Sequence, residues 1–486
     1  MSDVKNKLTT LLRADNTAPL LSYNGQAWCW SDFAVIVDEL ERFLAQHNVG
    51  GDISIGLIAR NRPQQAAVIL GMIAQNRAVT MVHAYQSAVA MANDIEQLNL
   101  GVVIGDQQDW SDHITAVVKN SGALGIVLPV NRDESCRAVG VYCKNVAHRR
   151  SPESLGFEVL SSGTTGAPKR TVMPFSVIQR ALDSILAVGP EVAKSADIVS
   201  WPFGTIGGLC QLVTASALQR PIALLEKFKL DDWLAAVEQY QPKILFVQPT
   251  ILRTLLDADV PKEKLKSIQV VSGGAGPLEP ELQTRFEERY GIPLLWAYGA
   301  TEFCGTIISW TFQLRKDFGL TKLGSAGKPI AGVQVRIIDV DSDVVLPAGE
   351  TGWLEAQVDS LGEAWIRTTD LALLDEDGFV FVKGRGDGAI IRGGFKILPE
   401  QIVESLREHP AVLDAAVVGI EDEKLGQIPA AAVELAKGFE LTIVALEKHA
   451  RDRLLSYQIP AKWTIVDSLP RTPTLKVILS DVKKLF

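Results

Sequence analysis

Cysteine is scarce in this chain, and what there is stands scattered. Cys29, Cys136, Cys143, Cys210 and Cys304 are five, an odd number, with no CxxC pair among 486 residues. Such a set makes neither a disulfide framework nor a zinc site, and it fits a reducing, cytoplasmic setting. His47, His83, His113, His148, His409 and His449 never fall into HExxH, and no GxSxG elbow occurs. Metal-dependent hydrolysis and serine acyl transfer therefore lack their usual signatures. A basic excess is missing too: 48 Lys and Arg against 57 Asp and Glu leave a net charge of −9. That balance argues against a nucleic-acid surface, so an anionic ligand must be gripped by local groups. The longest apolar run, "AAVILGMIA" at 66–74, is too short to span a bilayer, and the opening "MSDVKNKLTT" is polar. No membrane span or targeting segment is expected.

What is present is the material of a two-part α/β protein. An apolar fraction of 47% and a charged fraction of 22% describe a globular chain with ample core, and its length calls for a large unit and a smaller one. Short apolar runs, "ISIGLIA", "AVTMVHA", "GVVIGD" and "GIVLPV", alternate with helical-period stretches such as "RPQQAAVILGMIAQN". This is the pattern of βαβ units around a buried parallel sheet. The scheme repeats from "PKILFVQPT" to "LLWAYGATE" at 302, with strands ending on Gly, Pro or Thr where ligand loops belong. Beyond it the pattern turns to alternating strands with "DEDG" at 375–378 as a hairpin turn. Five glycines between 384 and 394 then precede a helix opening at Pro399, with Ile402, Val403 and Leu406 on one face. The expected division is a large domain over 1–385, with βαβ subdomains and a β-rich segment, and a small mobile α+β domain over 386–486.

The stretch "LSSGTTGAPKR" at 160–170 has the makings of a phosphate grip. Gly163 and Gly166 allow backbone N–H groups to turn inward, Ser161, Ser162, Thr164 and Thr165 add hydroxyl donors, and Lys169 adds a point charge. It is not GxxxxGK[ST], because Ala167 and Pro168 separate the second glycine from the lysine. An ordinary Ser/Thr/Gly surface turn has the same composition, and the rest of the chain must decide.

Four segments decide it: "SSGTTGAPK" at 161–169, "YGATE" at 298–302, "TTD" at 368–370 with "GRGD" at 384–387, and "PRTPTLK" at 470–476. Read singly, Tyr298 is a core aromatic, Asp370 and Glu302 are loop carboxylates, Arg385 is a surface residue and Lys476 a solvated lysine. In this order and spacing, from about residue 20 to 480, they resemble the adenylate-forming superfamily of acyl-CoA synthetases, aryl-CoA ligases, peptide-synthetase adenylation domains and luciferases.

The resemblance implies two steps. A carboxylate attacks the α-phosphorus of ATP to give acyl-AMP and pyrophosphate, and a second nucleophile then takes the acyl group. Thr164, Thr165, Gly166 and Lys169 would hold the β- and γ-phosphates, Thr301 would bond a phosphate oxygen, and Glu302 would help bind Mg²⁺. Tyr298 would stack on adenine beside Gly274 and Ala275, while Asp370 and Arg385 would take the ribose. Lys476 would sit between carboxylate and α-phosphate and stabilise the charge growing there. Asp387 matches the hinge about which the small domain turns after adenylation. Gly393 and Gly394 match the backbone strip along the pantetheine of CoA, although a Gly-Gly pair also makes a tight turn.

Departures from the pattern touch the substrate more than the chemistry. Gly388 replaces a second acidic residue after the hinge, Leu475 replaces a glycine before the lysine, and "TTD" keeps the ribose aspartate. In "WPFGTIGGL" at 201–209, Thr205 stands where many acyl-CoA ligases have histidine and where amino-acid-activating domains have aspartate. A buried ammonium would find no partner there, so an amino-acid substrate is not expected. Ile206, Val247, Gly273, Gly274 and Cys304 make the rest of the expected acid pocket apolar or small, with the glycines leaving room for an aromatic ring or an aliphatic chain. The reading is an ATP-, Mg²⁺- and CoA-using carboxylate–CoA ligase acting on small molecules. The alternative is an adenylating amide-bond synthetase or a ligase that passes the acyl group to an amine or a carrier protein. A catalytically silent nucleotide-binding protein on the same fold is the reading that Lys476, Glu302, Asp370 and Arg385 speak against.

Overall fold

Three of the short apolar runs become the middle of a parallel sheet. Ile55–Ala59, Val79–His83 and Val102–Gly105 are buried along almost their whole length and pair in parallel. Side chains buried on both faces belong to a sheet covered on both sides. The sheet has seven strands, in the order Arg137–Val139, Leu124–Val127, Val102–Gly105, Ile55–Ala59, Val79–His83, Gly156–Ser161 and Lys169–Pro174, with the two outermost antiparallel to their neighbours. Helix Pro63–Ala74 links the first two central strands. Its proline stands at the first turn, where an N–H has no helical partner to lose. Gly71 lets it press on helix Trp30–Gln46: a Cβ there would lie 2.5 Å from Cγ2 of Val37.

The computed structural model describes residues 2–129, 131, 134–144, 146–151, 156–161, 169–175, 177–179, 181–182, 194–274, 278–303, 305–340, 342–385, 388–436, 438–470 and 477–486. A second βαβ sheet runs parallel through Ile244–Val247, Val270–Gly273 and Leu294–Ala300, then continues antiparallel into Gly305–Ser309 and Lys328–Pro329. A small sheet, in which Leu21 pairs with Ile222, ties the N-terminal hairpin to the segment between the two large sheets.

Val333–Ile338, Thr351–Val358, Ile366–Leu374 and Val380–Arg385 form a four-stranded antiparallel sheet. Its last hairpin turns at the expected "DEDG": Asp375 N–H donates to the carbonyl of Phe379, and Gly378 takes φ 80°. The next strand, Ile390–Arg392, belongs to another sheet, ordered Phe395–Ile397, Ile390–Arg392, Gly426–Leu435, Val412–Asp422, with Lys462–Val466 parallel to Gly426–Leu435. Helix Pro399–Arg407 buries Ile402 and Leu406 against it, with Val403 half-buried beside them. The architecture is the expected large α/β domain followed by a small α+β one. Among the described residues no helix is long and apolar enough to cross a membrane.

Candidate active site

Ligands of open α/β sheets gather beyond the carboxyl ends of strands, where neighbouring connections part. In the first sheet that place lies between Ile55–Ala59 and Val102–Gly105, and it is filled by the chain's own charges. Arg60 pairs with Asp109 at 2.6 Å, and Arg62 with Asp106 at 2.7 Å and Glu226 at 3.2 Å. Between the two arginines, Asn61 is fully buried: it donates to the carbonyls of Trp201 (2.9 Å) and Leu225 (3.2 Å) and accepts from Phe203 N–H (2.9 Å). This tripeptide clasps the segment that leads into Thr205.

The second sheet offers the open chemistry. Tyr298 lies towards the end of strand Leu294–Ala300, and Glu302 follows in a short 3₁₀ turn. Tyr298 donates its hydroxyl to Asp370 Oδ2 at 2.5 Å. Asp370 lies on the neighbouring antiparallel sheet, 6% exposed, and its N–H donates to Thr368 Oγ1 at 3.1 Å. Burial first, then the charge of Asp370 and the bond to it, holds the Tyr298 phenol well above its ordinary pKa, so it stays a neutral donor. Arg385 is the register partner of Asp370 on the next strand, which brings the two expected ribose ligands side by side in the backbone; the Arg385 side chain lies outside the described part. Gly274 follows strand Val270–Gly273, where a Cβ would lie 3.0 Å from the carbonyl of Ala297. The tyrosine strand and this glycine are therefore adjacent.

The expected phosphate loop falls in the chain between two paired strands. Gly156–Ser161 and Lys169–Pro174 pair antiparallel up to Ser161 and Lys169. Thr164, Thr165 and Gly166 lie outside the described residues, as do Ala275, Cys304, Asp387 and Lys476, and the side chains of Lys169 and Thr301. The stem of the hairpin is firmly held. Glu158 accepts from Thr80 Oγ1 at 2.7 Å and from both terminal nitrogens of Arg149 at 2.9 and 2.6 Å. Burial alone would raise its pKa, but Arg149 and Thr80 outweigh that and hold it low. Arg170 grips Asp94 at 2.6 Å from the other strand.

On the acid side, Thr205 spends its hydroxyl on local structure. It caps helix Ile206–Ala217 by accepting from Gly208 N–H (3.2 Å), and it donates to the carbonyl of Pro202 (2.7 Å). Ile206 opens that helix and packs against the main core. Val247 is buried at the end of its strand. The room expected beside Gly273 is occupied: a Cβ would meet the carbonyl of Val247 at 2.2 Å and the Trp296 ring at 2.5 Å. The glycine serves the packing of that indole.

The small domain turns a particular face to the large one. Gly393 and Gly394 take φ 57° and 88° and make the two-residue turn between Ile390–Arg392 and Phe395–Ile397. Both angles are positive, as a two-residue hairpin of this kind requires. A Cβ on Gly393 would lie 3.6 Å from Cγ2 of Thr250 in the large domain, and Lys396 Nζ donates to Thr369 Oγ1 at 3.4 Å, next to Asp370. The pair is thus a tight turn and a contact face at once. Asn61, Glu158 and Lys396 went unnoticed in the sequence, since one chain gives no sign that an isolated polar residue is buried or bridges domains.

Tyr298, Asp370, Gly274 and the backbone of Arg385 thus gather on the large domain, faced by a glycine hairpin on the small one. The model of the AMP-binding enzyme family matches residues 12–365 and that of the AMP-binding enzyme C-terminal domain matches 402–476, so the chain belongs to this family. It is 27% identical over 472 residues to a 2-succinylbenzoate–CoA ligase of Bacillus pumilus (strain SAFR-032), covering 94% of this chain and 93% of that one. Two solved structures share its fold end to end. Amide bond synthetase McbA from Marinactinospora thermotolerans superposes with a TM-score of 0.84 at 22% identity, covering 100% and 99% of the two chains. A double mutant of o-succinylbenzoate CoA synthetase (MenE) from Bacillus subtilis, bound with the product analogue OSB-NCoA, gives 0.82 at 23% identity, covering 99% and 98%. The same enzyme in complex with the acyl-adenylate intermediate OSB-AMP gives only 0.66 over the same share of the chains.

Proposed function

We propose that this chain, an AMP-forming acyl-CoA ligase by family, activates an aromatic carboxylic acid related to 2-succinylbenzoate and passes it to CoA. The observation that carries the reading is the Gly393–Gly394 hairpin lying against the large domain beside Thr369 and Asp370. A backbone strip without side chains, set at the mouth of a nucleotide site, suits the passage of a slender thiol arm. In the first step Asp370, held by Tyr298 and Thr368, accepts the ribose hydroxyls with Arg385 beside it, while Tyr298 flanks adenine with Gly274 and Ala275. Thr164, Thr165, Gly166, Lys169 and Thr301 hold the polyphosphate, leaving the α-phosphorus open to the acid. Lys476 stabilises the charge that forms there, and the small domain, residues 386–486, then turns about Asp387.

Mg²⁺, where bound, neutralises phosphate charge. Among the described residues no group of three or more His, Cys, Asp or Glu could cage a metal, and the ion would rest on Glu302 and the phosphates themselves, a usual arrangement for Mg²⁺. Thr205, Ile206, Val247 and Cys304 remain the residues taken to shape the acid pocket, with Gly273 behind them making room for the Trp296 ring. Cys29, Cys136, Cys143 and Cys210 are free thiols, which supports a cytoplasmic setting.

The second reading, transfer to an amine, is favoured by the likeness to McbA, whose TM-score is no lower than that of the CoA synthetase. Incubation with ATP and a panel of aryl and aliphatic acids that includes 2-succinylbenzoate, with CoA or with a simple amine, separates the two by mass spectrometry. Aryl-CoA thioester formed only with CoA is the expected result. Amide with the amine and no thioester would move the chain to the second reading.

A further inference from the structure

An aromatic seam joins the two domains. His83 closes strand Val79–His83 of the large domain, and its ring stands edge-on to Tyr457 of the small one, centroids 6.2 Å apart at 62°. Behind it, Tyr85 packs at 5.9 Å, donates its N–H to His83 Nδ1 at 3.3 Å and its hydroxyl to the carbonyl of Glu226 at 3.0 Å. Tyr457 stacks on Phe395, at 4.6 Å and 18°. Just beyond, the backbones of Gln86 and Leu455 form an isolated antiparallel bridge between the domains.

The seam is coupled to the glycine hairpin. Phe395 is the first residue of the hairpin's second strand, and Arg392, at the end of its first, donates to the carbonyls of Tyr457 (2.8 Å) and Ile459 (3.0 Å). Whatever fixes Tyr457 against His83 therefore fixes Gly393 and Gly394 against Thr250. Burial pushes the His83 imidazole down to about 4, so the contact is uncharged at neutral pH.

We propose that His83 and Tyr457 are positioning residues for the second half-reaction: their contact sets how much of the enzyme holds the hairpin against the large domain, and neither acts in adenylation. This rests on the two-step reading above. It makes the seam specific to one orientation, because a rotation of the small domain separates the rings and breaks the Gln86–Leu455 bridge.

The test loads the enzyme with acid and ATP, measures pyrophosphate release, and then adds the acceptor. His83→Ala and Tyr457→Ala should release pyrophosphate at the wild-type rate yet transfer the acyl group about tenfold more slowly, the loss of one aromatic contact. Tyr457→Phe, which keeps the ring, should transfer like the wild type. Loss of both half-reactions together, or wild-type transfer by both alanine variants, would overturn the proposal. If the wild type forms amide and no thioester, the CoA reading fails and the same split is read with the amine. A second measurement needs no activity: in Gln86→Cys/Leu455→Cys, residues paired across an antiparallel bridge lie within disulfide reach. Mild oxidation should join them, arresting repeated turnover until a reductant is added; failure to cross-link in folded protein would show that the seam does not form in solution.

Discussion

Lys476→Ala loses acyl-AMP formation while ATP still binds. The acid and the α-phosphate both carry negative charge, and the approach of one to the other is the step that a positioned ammonium assists most. Removing one preorganised group of this kind costs about a thousandfold in rate. The other contacts proposed for ATP, from Asp370 and its neighbours to the phosphate loop, are untouched by the change, so ATP affinity should stay within a few-fold of the wild type. The variant should also still transfer the acyl group from synthetic acyl-AMP to CoA, since in the proposed cycle that step follows removal of the lysine. Pyrophosphate release and thioester yield, measured separately, check this. Undiminished pyrophosphate release would remove Lys476 from the chemistry.

Asp370→Asn is the second large effect, and it falls on ATP. The carboxylate is buried, takes the Tyr298 hydroxyl at 2.5 Å and sits beside Arg385 in the register. An amide of the same shape keeps a bond from the phenol but gives up the charge-assisted bonds proposed for the ribose, each worth about 1.5–3 kcal/mol. KM for ATP should rise about 10- to 100-fold, with KM for the acid nearly unchanged. Equal changes in both constants would mean that Asp370 holds the fold together and does not hold the nucleotide.

Much of the architecture was legible because it is local. Short continuous apolar runs gave the strands at 55–59, 79–83 and 102–105, "DEDG" gave the turn before Phe379, and Pro399 opened its helix as its position at a first turn implies. Recognition of the site came from four motifs in order, and the structure brings Tyr298, Asp370 and the backbone of Arg385 together from two sheets.

What escaped was set by contacts between distant parts of the chain. Leu21 pairs with Ile222, Asn61 bonds to Trp201, Leu225 and Phe203, and His83 meets Tyr457, and no local pattern announces any of these. Gly273 misled in another way: a glycine signals close approach, but only the packed neighbours tell whether the visitor is a substrate or, as here, the Trp296 ring. The capping role of Thr205 was legible in the sequence, since a threonine directly before an apolar helix is a usual N-cap.

The central claim is that a carboxylate oxygen of the acid attacks the α-phosphorus of ATP. Acid labelled with ¹⁸O in its carboxylate, turned over with ATP and CoA, tests it directly through the mass of the products. The account predicts one labelled oxygen in the phosphate of AMP for each thioester formed, with none in pyrophosphate. Label appearing in inorganic phosphate alongside ADP would mean attack at the γ-phosphorus and would contradict it.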